Sequence, residues 1–127
     1  MGKRRSIEIP GLQHDNPIPS ASQIGPFLFS GGIFGKDPQS GQTPADIEGQ
    51  CANMFANIRR IMDAAGGTPD NIIKVTVWLK DLTYRPHVNK EWTAMFPDAH
   101  SRPARHTFSH NLPGANLVQC EIIAVLD

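Results

Sequence analysis

An amphipathic segment at residues 44–65 places the strongest constraint on how this chain can fold. Its apolar side chains recur every three or four residues, which predicts a helix with one apolar stripe. Thr43 can cap this helix, with Pro44 at its first position and Asp46 three residues after the cap, and Gly66-Gly67 can end it. The stripe consists of Ile47, Cys51, Met54, Phe55, Ile58, Ile61, Met62 and Ala65. A stripe of this width needs a sheet to pack on.

Two segments alternate in polarity as half-buried strands do. Residues 73–80 place Ile73, Val75, Val77 and Leu79 on one face, opposite Lys74, Thr76, Trp78 and Lys80. Residues 117–126 place Val118, Cys120, Ile122, Ala124 and Leu126 on one face, opposite Leu117, Gln119, Glu121, Ile123 and Val125. Trp78 lies on a face that would be exposed to solvent in a monomer, so either its side chain is partly exposed or another subunit covers it.

Shorter elements complete an α+β domain. They are, in order, an edge strand at residues 6–10, a loop at 11–24, a strand at 27–30, a second helix at 85–96 and a short strand at 104–109. Gly31-Gly32 indicates either a bulge, with close approach of a ligand, or tight packing against another strand. The order ββ(β)αβαββ predicts one domain over residues 1–127, with two helices packed on one face of a mixed β-sheet.

The charge balance argues against several classes of partner. Twelve basic and twelve acidic residues cancel, whereas nucleic-acid and membrane-surface partners favour a basic surplus. The one basic run, Lys3-Arg4-Arg5, is typical of a solvated tail. No apolar run is long enough to span a bilayer, and no apolar region follows the basic start as in a signal peptide. From the charge balance and the lack of such a run we expect no nucleic-acid or membrane partner. Cys51 and Cys120 are interpreted as buried hydrophobic residues of a reducing compartment, so we expect a cytoplasmic protein.

The spacing of chemically active residues disfavours metal and nucleophile sites. Along a strand His106 and His110 would lie about 13 Å apart, and no cysteine pair or HExxH motif supports them. Ser30 lacks a GxSxG turn, and the glycines that follow it lack the lysine of a phosphate-binding loop. We therefore expect neither a metal nor another cofactor.

Once metal, nucleophile and phosphate sites are set aside, Arg105 is the remaining candidate for a functional residue. A guanidinium group matches a carboxylate through two parallel hydrogen bonds, and a strand would hold it rigidly. Arg105 is then either a receptor for a ligand carboxylate or one half of a structural salt bridge to an Asp or Glu. Spacing alone favours the salt bridge.

Over nearly its whole length the chain resembles the Rid family, also called YjgF or L-PSP endoribonuclease. The matching segments are, in order, residues 29–32, the helix ending at Ala65, residues 75–82, residues 88–92, Arg102-Pro103-Ala104-Arg105 and residues 121–125. The resemblance implies a chorismate-mutase-like (YjgF-type) α+β fold and a homotrimer with a cleft at each subunit interface. It also implies hydrolysis of enamines and imines, such as 2-aminoacrylate, to 2-keto acids and ammonia.

The resemblance assigns roles to individual positions. Arg105 would hold the substrate carboxylate, while Ser30, Gly31 and Asn89 would help to line the site. Thr107 stands where the family usually has a cysteine, two residues after the arginine.

The chain departs from the family where a glutamate of the last strand activates water. Gln119 occupies that position, and a glutamine can hydrogen-bond a water but cannot take its proton. The tyrosine usual in the N-terminal loop is also missing, because residues 17–19 read Pro-Ile-Pro. Glu121, on the same strand face as Gln119, or one of His106 and His110 could handle the proton instead.

Two functions stay open from the sequence. The first is a hydrolase similar to 2-iminobutanoate/2-iminopropanoate deaminases, in which Arg105 anchors a small carboxylate-bearing substrate, Gln119 positions the water and Glu121 is a candidate base. The second is a non-catalytic protein that binds small carboxylates or serves in a stress response. A ribonuclease would need a basic stripe with interleaved aromatic residues, which the chain lacks.

Overall fold

A computed structural model describes residues 3–127 as seven β-strands and two α-helices. The strands are β1 (Arg5–Ile7), β2 (Ala21–Ile24), β3 (Phe27–Ser30), β4 (Ile33–Phe34), β5 (Ile72–Leu79), β6 (Ala104–Ser109) and β7 (Val118–Val125). The helices are α1 (Ile47–Ala65) and α2 (Arg85–Met95). Within these described residues, neither helix is both long and apolar enough to cross a membrane.

All the strands join in one mixed sheet. Six lie in the order β1-β2-β3-β7-β5-β6, and β4 pairs with β7 beyond the end of β3. β5 and β6 are parallel, and every other pair is antiparallel. β7 is therefore central and β6 is an edge strand, so residues on these two strands reach different surroundings.

The two helices pack on one face of the sheet, which confirms the predicted fold class. Val75 and Val77 of β5 and Cys120 of β7 join the apolar stripe of α1 in a single core. All three side chains are fully buried. We call the other side of the sheet, where Trp78 and Gln119 lie, the open face.

The start of α1 differs from the sequence prediction. The helix begins at Ile47, and its N-cap is Asp46, whose carboxylate accepts a hydrogen bond from the N–H of Gly49 at 2.8 Å. Thr43 and the proline that follows it lie outside the helix. A carboxylate at the cap also interacts favourably with the positive end of the helix dipole, which an uncharged threonine does not. Gly66 ends the helix in the left-handed conformation, as predicted.

The N-terminal region also differs from its prediction. The expected loop at residues 11–24 contains β2, which pairs with β3 in a hairpin. Its two-residue turn begins at Gly25, whose φ of 55° suits a primed hairpin turn. β1 covers Arg5–Ile7 instead of residues 6–10. Arg5 is more than a solvated tail, because its guanidinium donates to the carbonyl of Ala64 at 2.9 Å.

A bulge at the start of β5 changes one predicted orientation. The pairing with β7 shifts between Ile72 and Lys74. As a result Ile72 is buried, and Ile73, which the alternation placed in the core, is 58% exposed. The rest of β5 alternates as predicted.

The second half of the chain matches its prediction closely. α2 has Pro86 in its first turn, and Pro97 follows its end. β6 has the predicted bounds, and β7 begins and ends one residue inside the predicted strand. The faces predicted for β7 are confirmed, with Cys120 and Ile122 buried in the core.

Candidate active site

Arg105 lies on the edge strand and faces α2. It pairs with the buried Val75 of β5, so its side chain leaves the sheet on the helix side. Its Nη2 donates a hydrogen bond to Oδ1 of Asn89 at 2.8 Å, and its guanidinium carbon lies 5.0 Å from the ring centre of Trp92. α2 therefore fixes the guanidinium both at its edge, through an amide, and at its face, through a cation–π contact.

The structure does not support a salt bridge for Arg105. Among the described residues the one ion pair within 4.0 Å joins His87 and Glu48. Partial burial, followed by the positive charge of Arg85, lowers the pKa of Arg105. A guanidinium has five N–H donors, and Asn89 engages one of them. The group is positioned by neutral partners and keeps donors for an anion, which favours the carboxylate-receptor interpretation.

Thr107 shares the helix-side face with Arg105. It pairs with the buried Val77 of β5 and is itself half-buried. Thr107 lies two positions after Arg105 on β6, so the two side chains project to the same face of this edge strand. Arg105, Asn89 and Thr107, which the resemblance assigned to substrate binding, thus form one group between β6 and α2.

Gln119 lies on the open face in the central strand. It pairs with Trp78 of β5 on one side and with Phe34 of β4 on the other. Directly paired residues project to the same face, so the amide stands between two aromatic side chains. Gln119 is half-buried, and a ligand on this face could reach it.

Gly32 explains how the amide of Gln119 fits. A Cβ atom at Gly32 would lie 2.7 Å from Nε2 of Gln119 and 3.4 Å from the ring of Phe34. Gly31-Gly32 falls between β3 and β4, where it interrupts the strand. Of the two interpretations of Gly31-Gly32, the structure therefore favours tight packing, because the side chain of Gln119 on β7 packs against the backbone of Gly32.

Glu121 and His106 occupy the neighbouring positions of the open face. Glu121 follows Gln119 by two residues and pairs with Thr76, and Thr76 pairs on its other side with His106. His110 lies beyond the end of β6, where its N–H donates to the carbonyl of Leu79 at 2.9 Å. Of the three alternative proton-handling residues, Glu121 and His106 share a face with Gln119.

Ser30 and Gly31 use most of their polar groups within the fold. The hydroxyl of Ser30 accepts from the N–H of Ile122 and donates to the carbonyl of Gly31, both at 2.8 Å. The N–H of Gly31 donates to the carbonyl of Ser20 at 2.9 Å. These bonds tie β3 to β7 and β2, and they position Ser30 and Gly31 directly before Gly32, the residue that meets the amide of Gln119.

One chain does not bring the two halves of the candidate site together. Arg105, Asn89 and Thr107 lie on the helix side of the sheet, and Gln119 lies on the open face. The strand β5 separates β6 from β7. A small ligand bound at Arg105 therefore lies on the opposite side of the sheet from Gln119 of the same chain.

The two cysteines are buried, as the sequence predicts. Burial raises the pKa of Cys51 to about 12, and burial raises the pKa of Cys120 as well. Neither thiol is a ready nucleophile, since the thiolate is the reactive form. Across residues 3–127 no three His, Cys, Asp or Glu side chains are arranged to hold a metal ion.

A cavity of about 220 Å³ lies where the N-terminal segment meets β4 and α1. Gly32, Phe34, His14 and Asp15 line it, and α1 contributes Asn57 and Ile61. Lys36 adds a basic group to the wall. Gln119 does not line this cavity, so the cavity does not surround the candidate catalytic amide.

Sequence reasoning missed the aromatic residues of both halves. Trp92 stacks over Arg105, and its place three residues after Asn89 on a helix was the available signal. Phe34 beside Gln119 had no such signal, because the pairing of β4 with β7 joins segments 85 residues apart. The stacking of Phe108 on Trp78, with ring centres 6.3 Å apart, likewise depends on strand pairing.

Comparison with known proteins gives consistent matches along the chain. A family model described as endoribonuclease L-PSP matches residues 14–126. The 2-iminobutanoate/2-iminopropanoate deaminase of Escherichia coli K12 is 31% identical over 111 residues, covering 86% of this chain and 87% of that protein. The crystal structure of the Escherichia coli yjgF gene product superposes with a TM-score of 0.86 at 28% identity, covering 95% of this chain and 98% of that one. Escherichia coli TdcF, crystallised with bound serine, gives a TM-score of 0.88 at 28% identity, covering 97% and 99%.

Proposed function

The chain belongs to the endoribonuclease L-PSP family, also called Rid or YjgF, and on this premise we propose that it hydrolyses a small carboxylate-bearing enamine or imine. The products are a 2-keto acid and ammonia. The observation that carries the proposal is Arg105, which is fixed by Asn89 and Trp92 and has no carboxylate partner among the described residues. The name of the Escherichia coli relative and the serine bound to TdcF support a ligand of this class.

The proposed site is shared between subunits of a homotrimer. Arg105 and Gln119 lie on opposite faces of their own sheet, so a complete site needs Arg105 of one copy beside Gln119 of the next. The open face offers a surface for such contact, since Phe27 and Phe29 are each 55% exposed there. Three copies in a ring would complete three sites, in agreement with the resemblance.

The proposed reaction begins with the carboxylate held by Arg105 in paired, charge-assisted hydrogen bonds. An enamine substrate first tautomerises to the imine. Water, held by the amide of Gln119, then adds to the C=N carbon, and a water proton is transferred to the nitrogen. The hydroxyl proton of the carbinolamine then passes to the nitrogen as the C–N bond breaks, so that ammonia leaves and the ketone forms. An imine carbon is already electrophilic, so the reaction does not require a strong base at Gln119.

The proton transfers can be assisted from the positions beside Gln119. Glu121 is the better-placed base, because it shares both strand and face with the amide. His106 is on β6, two strands away from β7, and Thr76 of β5 lies between it and Glu121. The cytoplasmic location expected from the two cysteines stays a prediction.

The test measures ammonia and pyruvate released from 2-aminoacrylate, which a dehydratase generates from serine in the same vessel. Hydrolysis above the spontaneous rate is expected, and Arg105→Ala should reduce kcat/KM about 100-fold or more by removing the anchor. Arg105→Lys is the matched control, because it keeps the charge but not the paired geometry, and it should retain an intermediate rate. A wild-type rate equal to background would overturn the proposal.

The alternative function, binding of a small carboxylate without turnover, is favoured by one observation, the glutamine at position 119. The variant Gln119→Glu separates the two functions, because it restores a group that can accept a proton. A silent wild type that binds pyruvate and gains turnover in this variant would establish the binder. Turnover in both forms, with a faster rate in the variant, would establish the enzyme.

A further inference from the structure

We infer that the site prefers imines or enamines whose side chain is aromatic, with Phe34 and Trp78 as the residues that select it. This inference rests on the proposed function, since it requires the reacting carbon to lie at Gln119. It concerns the chemical class of substrate, which neither Arg105 nor the amide determines.

The inference starts from a row of four paired residues across the open face. Phe34 on β4 pairs with Gln119 on β7, Gln119 pairs with Trp78 on β5, and Trp78 pairs with Phe108 on β6. Directly paired positions have Cβ atoms about 5 Å apart. The polar group of the row is therefore flanked by aromatic rings, with one on β4 and two on the other side.

The rings of this row are available to a ligand. The core lies on the opposite face, and its members include neither Phe34 nor Trp78. Phe34 and Trp78 are half-buried, and Phe108 is 41% exposed. Trp78 and Phe108 are nearly parallel, with an interplanar angle of 23°, so they present a broad, ordered aromatic surface beside the amide.

Gly32 allows the amide of Gln119 to pack close to the Phe34 ring. The position of its missing Cβ is 2.7 Å from Gln119 Nε2 and 3.4 Å from Phe34. Any side chain there would displace the amide. With glycine the amide stays next to the ring, so a substrate whose imine carbon lies at the amide places its planar substituent near Phe34 or Trp78.

The row also lies apart from the apolar surface proposed for trimer contact. That surface includes Phe27 and Phe29, which pair with Val125 and Ile123 of β7. Ile123 is four positions from Gln119, a distance of about 13 Å along a strand. Contact between copies at that end therefore does not by itself account for the rings around Gln119.

Aromatic rings recognise another ring better than they recognise a methyl group. Offset and edge-to-face ring pairs add stabilisation beyond the burial of apolar area, and a methyl substituent would leave both rings partly exposed to water. We expect kcat/KM for the imine of phenylalanine to exceed that for the imine of alanine by about tenfold or more.

The experiment generates each imine in situ with an amino-acid oxidase from L-phenylalanine or L-alanine, and it follows the keto acid and ammonia. The ratio of the two kcat/KM values is the readout. Phe34→Ala and Trp78→Ala should each lower this ratio about tenfold. Leu82→Ala, which removes an exposed apolar side chain that is not a member of the row, is the control and should keep the wild-type ratio.

Two outcomes would overturn the inference: a wild-type ratio of one or less, or a ratio unchanged in both aromatic variants. If neither imine is hydrolysed, the proposed function fails, and binding of the two product keto acids decides the inference separately. Tryptophan fluorescence should then report tighter binding of phenylpyruvate than of pyruvate, with the preference lost in Phe34→Ala. Equal binding of the two keto acids would count against the aromatic preference itself.

Discussion

Arg105 and Gln119 project from opposite faces of the same sheet, although each lies in register with a residue of β5. Arg105 is level with Val75, which faces the helices, and Gln119 is level with Trp78, which faces away from them. The proposed reaction uses both side chains on one substrate, and for this reason the proposed site draws them from two copies of the chain. This relationship makes the shared site directly testable.

Mixed assemblies should recover activity that neither parent has. Arg105→Ala and Gln119→Leu each damage one half of every site. After the two variants are unfolded together and refolded at a 1:1 ratio, about a quarter of the sites in random trimers should contain both wild-type residues. Activity near that level, measured with 2-aminoacrylate, is the expected result. Refolding each variant alone is the control, and a mixture no more active than its parents would contradict a shared site.

Gly32→Ala should impair the site without unfolding the protein. The added Cβ would meet the end of the Gln119 side chain at 2.7 Å, and this flexible amide would have to move. Displacing a water-positioning group by about 1 Å can cost up to about 100-fold in rate. Gly31→Ala is the neighbouring control, because its Cβ would meet nothing closer than 3.7 Å. Equal loss of kcat/KM in both variants would show that the contact with Gln119 is not the cause.

Gln50→Leu should destabilise the fold strongly. The buried amide of Gln50 donates to the carbonyls of Pro44 and Ala115, and its oxygen accepts from the N–H of Leu117 at 2.8 Å. Loss of these bonds leaves buried groups unpaired, so the free energy of unfolding in urea should fall by about 2–4 kcal/mol. The exposed Gln42 offers a matched control, and Gln42→Leu should change this free energy by less than about 0.5 kcal/mol.

Alkaline pH should destabilise the protein through its buried thiols. Cys51 holds its proton up to a pKa of about 12 in the folded state, compared with an ordinary value of 9.0. Between these values the unfolded chain loses the proton and the folded chain keeps it, so stability declines as the pH rises above 9. The thiol contributes at most about 1.4 kcal/mol per pH unit. Urea unfolding of Cys51→Ala between pH 8 and 10 should show a shallower decline, and an identical slope would contradict the assignment.

The sequence predicts those elements whose signals are local. α2 has Pro86 in its first turn and Pro97 just beyond its end, and the alternation of β7 separates Cys120 from Gln119 without knowledge of any partner. β2 escaped prediction because Ser22 and Gln23 give it little apolar alternation. The bulge that exposes Ile73 depends on pairing with β7, so the pattern of β5 alone could not reveal it.

The sequence identifies candidate members of the site, whose roles stay predictions, but it does not give their arrangement. The family resemblance identifies Arg105 and Gln119 from short motifs, and both lie at surfaces that a ligand can reach. The faces that Arg105 and Gln119 occupy depend on how β6 and β7 are aligned with β5. A local sequence pattern does not show how two separate strands are aligned. The aromatic row around Gln119 depends on the same long-range pairing, and therefore Phe34 was not identified.

The central position of β7 has a consequence for how this protein is made. β7 pairs with β3 and β4 on one side and with β5 on the other, so it joins the N-terminal hairpins to the β5–β6 pair. During synthesis on a ribosome, the N-terminal strands and the β5–β6 pair keep unpaired edges until residues 118–125 emerge. Such late, long-range closure slows folding and exposes strand edges to other nascent chains.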